Sequence, residues 1–168
     1  RAGGERTLLC RIEIAEGAPL PLRQEDIQAN GYALECRLYA EDARDGFLPV
    51  TGRILRWEPA PGPGLRYDAA IESGSEISIY YDPMIAKVIA HGPDRDAALR
   101  RMRYALDRLV CLGLTTNLPF LQFLLGRADF QQGKYDTRYI EPELDLSGLY
   151  DFPADVHHRA AVALTLFR

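Results

Sequence analysis

The stretch PGPGLRYD at residues 61–68 is a Pro/Gly corner that runs directly into an extended segment, and YYDPMIAKVIAHG follows it at residues 80–92. Proline fixes its own φ, so the corner leaves the chain little freedom before Arg66. The second stretch begins as an Asp-Pro turn and continues as an apolar run. These features predict strands at Gly64–Glu72 and Ile85–His91, the first of them carrying an arginine that its corner holds in place.

Short strands and turns also surround these two stretches. At Gly31–Asp42, apolar residues alternate with polar ones, which predicts a strand with one apolar face. Apolar positions at helical spacing, ended by Gly17, predict an amphipathic helix at Thr7–Glu16. The other elements predicted in this block are a one-turn helix at Gln24–Ile27 and strands at Arg53–Trp57 and Glu76–Tyr80.

The hydrophobic period changes to that of a helix after Pro93. One apolar stripe predicts a helix over residues 94–110, and a second helix is predicted at Leu118–Leu125. Residues 142–152 are typical of an extended linker, and Pro153–Arg168 of the start of another helix. This order predicts an α+β fold, with a block of antiparallel strands behind a short helix and a helical block packed on it.

The composition is that of a globular protein. Its 168 residues are 47% apolar and 26% charged, which suits one domain, or one and a fraction. The net charge of −4 argues against a nucleic-acid partner. No apolar run approaches the roughly 18–20 residues that cross a bilayer, so we expect a soluble protein with no membrane partner. Arg1 in place of Met, and the apolar run at the carboxyl end, lead us to expect a piece of a larger protein.

The metal- and thiol-bearing residues show no site pattern. Cys10, Cys36 and Cys111 are odd in number and have apolar neighbours, which predicts buried thiols in a reducing compartment rather than disulfides or a zinc site. The three histidines share no ligand spacing with them or with a carboxylate cluster, so we predict no metal site. PGPG also lacks the sequence context of a phosphate-binding loop.

Arg66 has two interpretations. A cation fixed by a stiff corner is preorganised for catalysis, since it stabilises developing negative charge without reorganising. An exposed arginine on a strand is more often paired with a neighbouring carboxylate, here Asp68 or Glu72. Spacing alone does not decide between these interpretations.

Lys87 and the motif YYDPM are interpreted as structural. Lys87 lies in an apolar strand, so its side chain either extends to solvent or meets a carboxylate such as Asp82 or Glu35. We favour the pairing. Asp-Pro is a turn dipeptide, and paired tyrosines on a strand usually pack on one face and lie at the edge on the other.

Several motifs, taken in chain order between about residues 7 and 141, resemble the C-terminal domain of the biotin carboxylase family. Besides the two opening stretches, they are GYALECRLYAED (31–42), GFLPVTGRI (46–54), ALRRMRYAL (98–106), GLTTNLPFLQFLL (113–125) and GKYDTRYIE (133–141). The resemblance implies a barrel-sandwich-like β domain with packed helices, which closes the back of an ATP-grasp enzyme.

The resemblance also implies a reaction and a role for Arg66. In this family ATP activates bicarbonate as carboxyphosphate, and the carbon dioxide is placed on a ureido nitrogen of biotin. The arginine of the motif that matches GLRYD contacts bicarbonate and the ureido oxygen. Arg66 is therefore expected to be catalytic and to bind both biotin and bicarbonate.

Other parts of such an enzyme are expected outside this chain. The family's ATP-binding and magnesium-binding residues lie upstream of a position equivalent to Arg1, so we expect no ATP site, no metal site and no activity in this piece alone. The chain has no Met-Lys dipeptide, so biotin is expected on a separate carrier domain. The remaining partners implied are the ATP-grasp domain, a carboxyltransferase subunit and a second copy of the domain in a homodimer.

The resemblance divides the chain into three parts. Residues 1–30 are expected to form a first helix and a connection from the ATP-grasp part, residues 31–141 the C-terminal domain, and residues 142–168 a linker and the start of a helical region. That last segment favours a propionyl-, methylcrotonyl- or geranyl-CoA carboxylase, in a bacterial cytoplasm or a mitochondrial matrix. Acetyl-CoA, pyruvate and urea carboxylases stay open, because Tyr32 and Val50-Thr51 depart from the family pattern. A rival interpretation makes the domain a structural dimerisation module built on helix 94–110.

Overall fold

The computed structural model describes residues 10–140 together with Leu146 and Leu149. Contacts divide the chain into two units, Arg1–Asn30 and Gly31–Arg168. In the first unit, α1 is helical from residue 10 to residue 15, and a 3-10 turn follows at Gln24–Asp26. The helix ends where Gly17 adopts φ +96°, as the sequence predicts.

A three-stranded antiparallel sheet in the order β1-β8-β6 forms the centre of the second unit. Its strands are β1 (Tyr32–Tyr39), β8 (Met84–Gly92) and β6 (Leu65–Ala69). One face carries mainly apolar side chains and packs on the core, while the other carries the charged side chains, most of them exposed. This is the alternation that the sequence predicts for residues 31–42.

Three two-stranded pairs surround the central sheet. They are β2 (Glu41–Asp42) with β3 (Leu48–Pro49), β4 (Gly52–Arg53) with β7 (Glu76–Ile77), and β5 (Arg56–Glu58) with β9 (Val110–Leu112). A 3-10 turn at Ala43–Asp45 joins β2 to β3. The predicted strand 31–42 is therefore split in two, and the predicted strand Glu76–Tyr80 keeps only its first two residues.

The helices follow the sheet in the chain and cover its apolar face. They are α2 (Arg95–Arg108), α3 (Leu118–Gly126) and α4 (Ala128–Gln131). Asp94 caps α2, because its carboxylate accepts from Ala97 N at 2.7 Å. The largest fully buried side chains of the core between α2 and the sheet are those of Leu38, Ile54, Val88, Met102 and Leu106.

The predicted C-terminal boundary of the helix at residues 94–110 is wrong, since α2 ends at Arg108. Leu109 is extended (φ −69°, ψ 123°), and Val110 begins β9, which pairs with β5. The helix ends here because the next residues form backbone hydrogen bonds with a distant strand. The helical spacing of apolar residues does not predict such a pairing. The predicted α+β fold is confirmed.

A second apolar cluster is built on α3. Phe120, Leu124 and Leu149 are buried in it with Ala43, and Phe47 contacts Phe120 edge-on at 4.9 Å between ring centroids. Apart from Leu146 and Leu149, the predicted linker at 142–152 and the predicted helix at 153–168 lie outside the described residues. In the described part, no helix has the length and hydrophobicity to cross a membrane.

Asn117 fixes the loop before α3 to the edge of β1. Its backbone N–H donates to Tyr39 O at 3.1 Å, and its side-chain Oδ1 accepts from Tyr39 N at 2.9 Å. Its Nδ2 also donates to Arg37 O at 3.2 Å. Since Asn117 is buried, water cannot replace these bonds at low cost.

Replacement of Asn117 by alanine is expected to destabilise the domain by about 2–4 kcal/mol, because it leaves two backbone groups of β1 without partners. Urea unfolding followed by circular dichroism measures the change. Gln132→Ala is the control, since the exposed side-chain amide of Gln132 makes no hydrogen bond among residues 10–140, and the substitution should change the free energy of unfolding by less than about 0.5 kcal/mol. Equal stability of the two variants would contradict the role of Asn117.

Candidate functional site

The exposed face of the central sheet carries a compact set of charges. Register places Arg66 of β6 and Glu35 of β1 on either side of Ile89. Two residues earlier on β8, Lys87 has Asp68 of β6 on one side and Arg37 of β1 on the other. The face therefore brings together residues from three separate parts of the sequence: Glu35, Arg37, Arg66, Asp68 and Lys87.

Arg66 is exposed and paired at the same time. Its Nε lies 3.0 Å from Asp68 Oδ1, and its Nη2 donates to Asp68 Oδ2 at 3.1 Å. The two side chains are 64% and 49% exposed. The pairing predicted by the structural interpretation is present, and so is the exposure that the catalytic interpretation requires.

The Arg66–Asp68 pair orients the guanidinium without making it inaccessible. One hydrogen bond and one close ion contact, both to Asp68, orient the group and leave Nη1 with no hydrogen bond in the described part of the chain. An exposed ion pair of this kind stabilises a protein by about 0–1 kcal/mol, so a ligand can compete for the arginine at small cost. An anion or a polarised carbonyl oxygen is the ligand that such a group takes.

The Pro/Gly corner holds the start of β6. Gly64 adopts φ +73°, and its carbonyl accepts from His91 N at 2.8 Å. A side chain at Gly64 would collide with the His91 carbonyl oxygen and lie 2.6 Å from Arg101 Nη1. Beyond Arg66, the Tyr67 hydroxyl donates to Ala60 O at 2.9 Å and ties the strand back to the corner.

Lys87 lies at the centre of the charged face. Its predicted pairing with Asp82 or Glu35 is wrong: Glu35 accepts from Arg37 Nε at 3.2 Å, and Asp82 accepts from Met84 N at 2.8 Å. Lys87 is half-buried and has no ion pair within residues 10–140. Alternation puts it on the polar face, but only the register shows which charges lie beside it.

The YYDPM motif is a turn, as predicted, because the Asp82 carboxylate bonds to the backbone two residues later. The predicted packing of one tyrosine is wrong, since Tyr80 and Tyr81 are both almost fully exposed. They follow β7 as turn residues rather than continuing it as a strand.

The cysteines do not form a reactive site. Cys36 is buried as predicted, and burial, together with the nearby Glu35 carboxylate, raises the pKa of its thiol to about 12. Burial also raises the pKa of Cys111, although Cys111 and Cys10 are only half-buried. Among the described residues, no cluster of His, Cys, Asp and Glu side chains could hold a metal ion.

A groove of about 480 Å³ lies on the other side of the corner. Pro61, Pro63 and Leu65 form one wall, and Arg101 and Tyr104 of α2 form the other. The Arg101 guanidinium donates to the carbonyl of His91, so the groove shares its supports with the corner.

Comparison with known proteins gives consistent matches. A model of the biotin carboxylase C-terminal domain matches residues 35–142. The mitochondrial propionyl-CoA carboxylase alpha chain of Caenorhabditis elegans is 46% identical over 135 residues, which cover 79% of this chain and 18% of that protein. The mitochondrial methylcrotonoyl-CoA carboxylase subunit alpha of Oryza sativa subsp. japonica is 42% identical over 139 residues, which cover 82% and 19%.

A solved structure gives the same result. The biotin carboxylase domain dimer of Hydrogenobacter thermophilus 2-oxoglutarate carboxylase, in complex with MgADP, ADP and bicarbonate, matches with a TM-score of 0.78 and 40% identity. The match covers 85% of this chain and 31% of that one. The chain spans about a fifth of the length of the two curated relatives described above.

Replacement of Gly64 by alanine is expected to destabilise the domain by about 2–4 kcal/mol, because a left-handed φ disfavours any Cβ and the new methyl group meets the His91 carbonyl. Thermal and urea unfolding measure the loss. Gly126→Ala is the matched control, since a Cβ there meets nothing within 4 Å and the position is helical. A Gly64→Ala variant as stable as Gly126→Ala would show that the corner is not fixed by Gly64.

Proposed function

The chain belongs to the family of the biotin carboxylase C-terminal domain, and on this premise we propose that it supplies that domain to a biotin-dependent acyl-CoA carboxylase. In the complete subunit, ATP and bicarbonate carboxylate biotin. The observation that carries the proposal is the exposed Arg66 guanidinium, held by a fixed corner and oriented by Asp68.

Arg66 suits the binding of bicarbonate and of the biotin ureido group. Nη1, which makes no hydrogen bond among residues 10–140, can donate to an oxygen that is anionic or becomes so. Biotin supplies a ureido nitrogen that accepts the carboxyl group, and its ureido oxygen gains negative charge when the nitrogen loses its proton. A guanidinium already in position stabilises that charge without reorganisation. Asp68 acts as a positioning residue, since it holds Arg66 through one hydrogen bond and one ion contact.

The ATP and magnesium sites are proposed to lie in an ATP-grasp domain outside this chain. Magnesium prefers carboxylate oxygens, and no group of three or more possible metal ligands lies together in the described residues. Biotin would arrive on a carrier domain, and a carboxyltransferase subunit would use the product. Residues 1–30 would connect from the ATP-grasp domain, residues 31–141 would form the C-terminal domain, and residues 142–168 would lead onward.

The acyl-CoA class rests on the relatives. The similar chains from C. elegans and rice are carboxylase alpha subunits for propionyl-CoA and methylcrotonoyl-CoA. We therefore place this chain in a propionyl-, methylcrotonyl- or geranyl-CoA carboxylase, in a mitochondrial matrix or a bacterial cytoplasm.

Dimerisation is the second candidate function. The matched Hydrogenobacter thermophilus structure is a dimer of biotin carboxylase domains. In this chain, α2 presents an exposed Tyr104, with Arg108 stacked 5.0 Å from its ring, beside the groove at the corner. A module that only assembled the enzyme would use this surface and would not need Arg66.

The isolated 168-residue chain is expected to show no bicarbonate-dependent ATP hydrolysis with free biotin, because the proposed nucleotide and magnesium sites lie elsewhere. A coupled ATPase assay measures this, with an intact biotin carboxylase as the positive control. Turnover above background would contradict the proposal that the nucleotide and magnesium sites lie in another domain of the subunit.

In the intact subunit, Arg66→Ala is expected to lower the rate of biotin carboxylation about 100- to 1,000-fold, the usual effect of losing one preorganised charge donor. The melting temperature and the dimer fraction should stay nearly unchanged, because the pair is exposed. Activity assays, calorimetry and sedimentation measure the three quantities.

Arg56→Ala is the matched control for Arg66→Ala. Arg56 also forms a two-point pair with a carboxylate two residues later, Glu58, and both side chains are 58% exposed. Its loss should leave the activity unchanged. If Arg66→Ala instead unfolds the domain, Arg66 is structural; if it is fully active, the dimerisation function is favoured.

A further inference from the structure

The arginines of the described residues fall into two groups. Seven of them form ion pairs with carboxylates, and three more donate to backbone carbonyls. The other arginines within residues 10–140 make neither an ion pair nor a hydrogen bond with a described residue. They are Arg11 of α1 and Arg100, Arg103 and Arg108 of α2.

The three arginines of α2 lie on one face of that helix, because residues 100, 103, 104, 107 and 108 recur at helical spacing. With Tyr104 and Asp107 they line a hollow of about 580 Å³, and all five residues are exposed. Asp107 is the one anion of this lining. The hollow therefore has an excess of two positive charges, in a chain whose net charge is −4.

The hollow continues into the apolar groove at the corner, since Arg100 and Tyr104 line both. Pro61, Pro63 and Leu65 form the opposite wall of the groove. The combined surface has a basic part on α2 and an apolar part at the corner. Most of its lining residues are exposed, whereas a site for a small molecule encloses most of its ligand. This shape favours a segment of another polypeptide as the ligand.

The spacing of the arginines indicates the form of that segment. Arg100 and Arg108 are eight residues apart on the helix, which is a rise of about 12 Å. In an extended peptide, side chains four residues apart lie on the same side and are separated by about 13 Å. Two acidic residues at that spacing can therefore meet both arginines.

A second copy of this chain is a poorer occupant of the same surface. A two-fold contact sets the same patch of both copies against each other, so a contact centred here would bring the arginines of the two copies together. Like charges that face each other in an interface oppose association, while an acidic partner is attracted.

We propose that the outer face of α2 and the adjoining groove bind an extended acidic segment of a partner protein. Its carboxylates lie on Arg100 and Arg108, and an apolar side chain follows them into the groove between the corner and Tyr104. The inference goes beyond the function proposed for Arg66 and does not depend on it. It replaces the second copy by an acidic partner as the occupant of this surface.

Fluorescence anisotropy on the 168-residue chain tests the inference, with the labelled peptide ESESELLL as the probe. Its first and fifth residues are glutamates at the required spacing, and its leucines follow toward the groove. The peptide is expected to bind. The peptides QSQSQLLL and ESESESSS should each bind at least about fivefold more weakly. An ionic strength of about 1 M, at which the screening length is about 3 Å, should weaken binding of the probe as well.

The double variant Arg100→Gln/Arg108→Gln is expected to raise the Kd of ESESELLL about 5- to 30-fold, the loss of two exposed ion pairs. Its melting temperature should be kept, because both side chains are exposed. Arg56→Gln/Arg138→Gln is the matched control. It makes the same change in net charge at two exposed arginines outside α2, and should keep the Kd within about twofold of wild type.

The same titration on the intact carboxylase subunit, with sedimentation of the Arg100/Arg108 variant, decides between occupants. Equal binding by the intact subunit and the isolated chain supports the inference. Loss of binding in the intact subunit means that one of its own domains covers the face, and a lower dimer fraction in the variant means that a second copy does; either result overturns the inference.

The inference also fails if the two double variants bind alike, or if glutamine serves as well as glutamate in the peptide. The Arg100/Arg108 variant should keep the wild-type rate of biotin carboxylation. A failure of peptide binding therefore leaves the function proposed for Arg66 untouched, and the two proposals are tested separately.

Discussion

The structure depends on β8, the strand that is hydrogen-bonded along both edges. It pairs with β1 on one side and with β6 on the other. An inner strand has its backbone donors and acceptors satisfied by neighbours on both edges. Both strands that carry the arginines of the candidate site are placed by this one strand.

The two faces of β8 differ in their surroundings: one packs against the core, and the other carries Lys87 among the charged residues. On the inner face, Ala86, Val88 and Ala90 are small and buried, which lets the apolar side of α2 approach closely. Dense packing there fixes the sheet. The outer face is then free to carry an unfavourable arrangement of charges, with Lys87 opposite Arg37, because the core supplies the stability.

Local sequence patterns predicted much of the fold. The apolar alternation at 31–42 predicted β1, the helical stripe after Pro93 predicted α2, and the sequence motifs predicted the family. What local patterns could not predict is what depends on pairing over long distances: β9 forms because Val110–Leu112 meets β5, more than fifty residues away in the chain. The propensity of a residue for a strand does not include the effect of a partner strand that is distant in the sequence.

The candidate site shows the same limit. The stiffness of the corner and the preference of Arg66 for Asp68 could both be predicted, since these residues are neighbours in sequence. The surroundings of Lys87 could not, because Arg37 and Asp68 come from strands that lie about fifty and twenty residues before it. A lysine in an apolar strand predicts a buried partner, but register placed it beside carboxylates that arginines already hold.

The corner also joins the site to α2. Gly92 ends β8 and lets α2 begin at once, since a Cβ there would lie 2.6 Å from Ala98 N. Nearly two turns into the helix, Arg101 reaches back to the carbonyl of His91, whose N–H is bonded to the Gly64 carbonyl. Arg66 follows Gly64 by two residues. The surface proposed for assembly and the residue proposed for catalysis therefore share one set of supports.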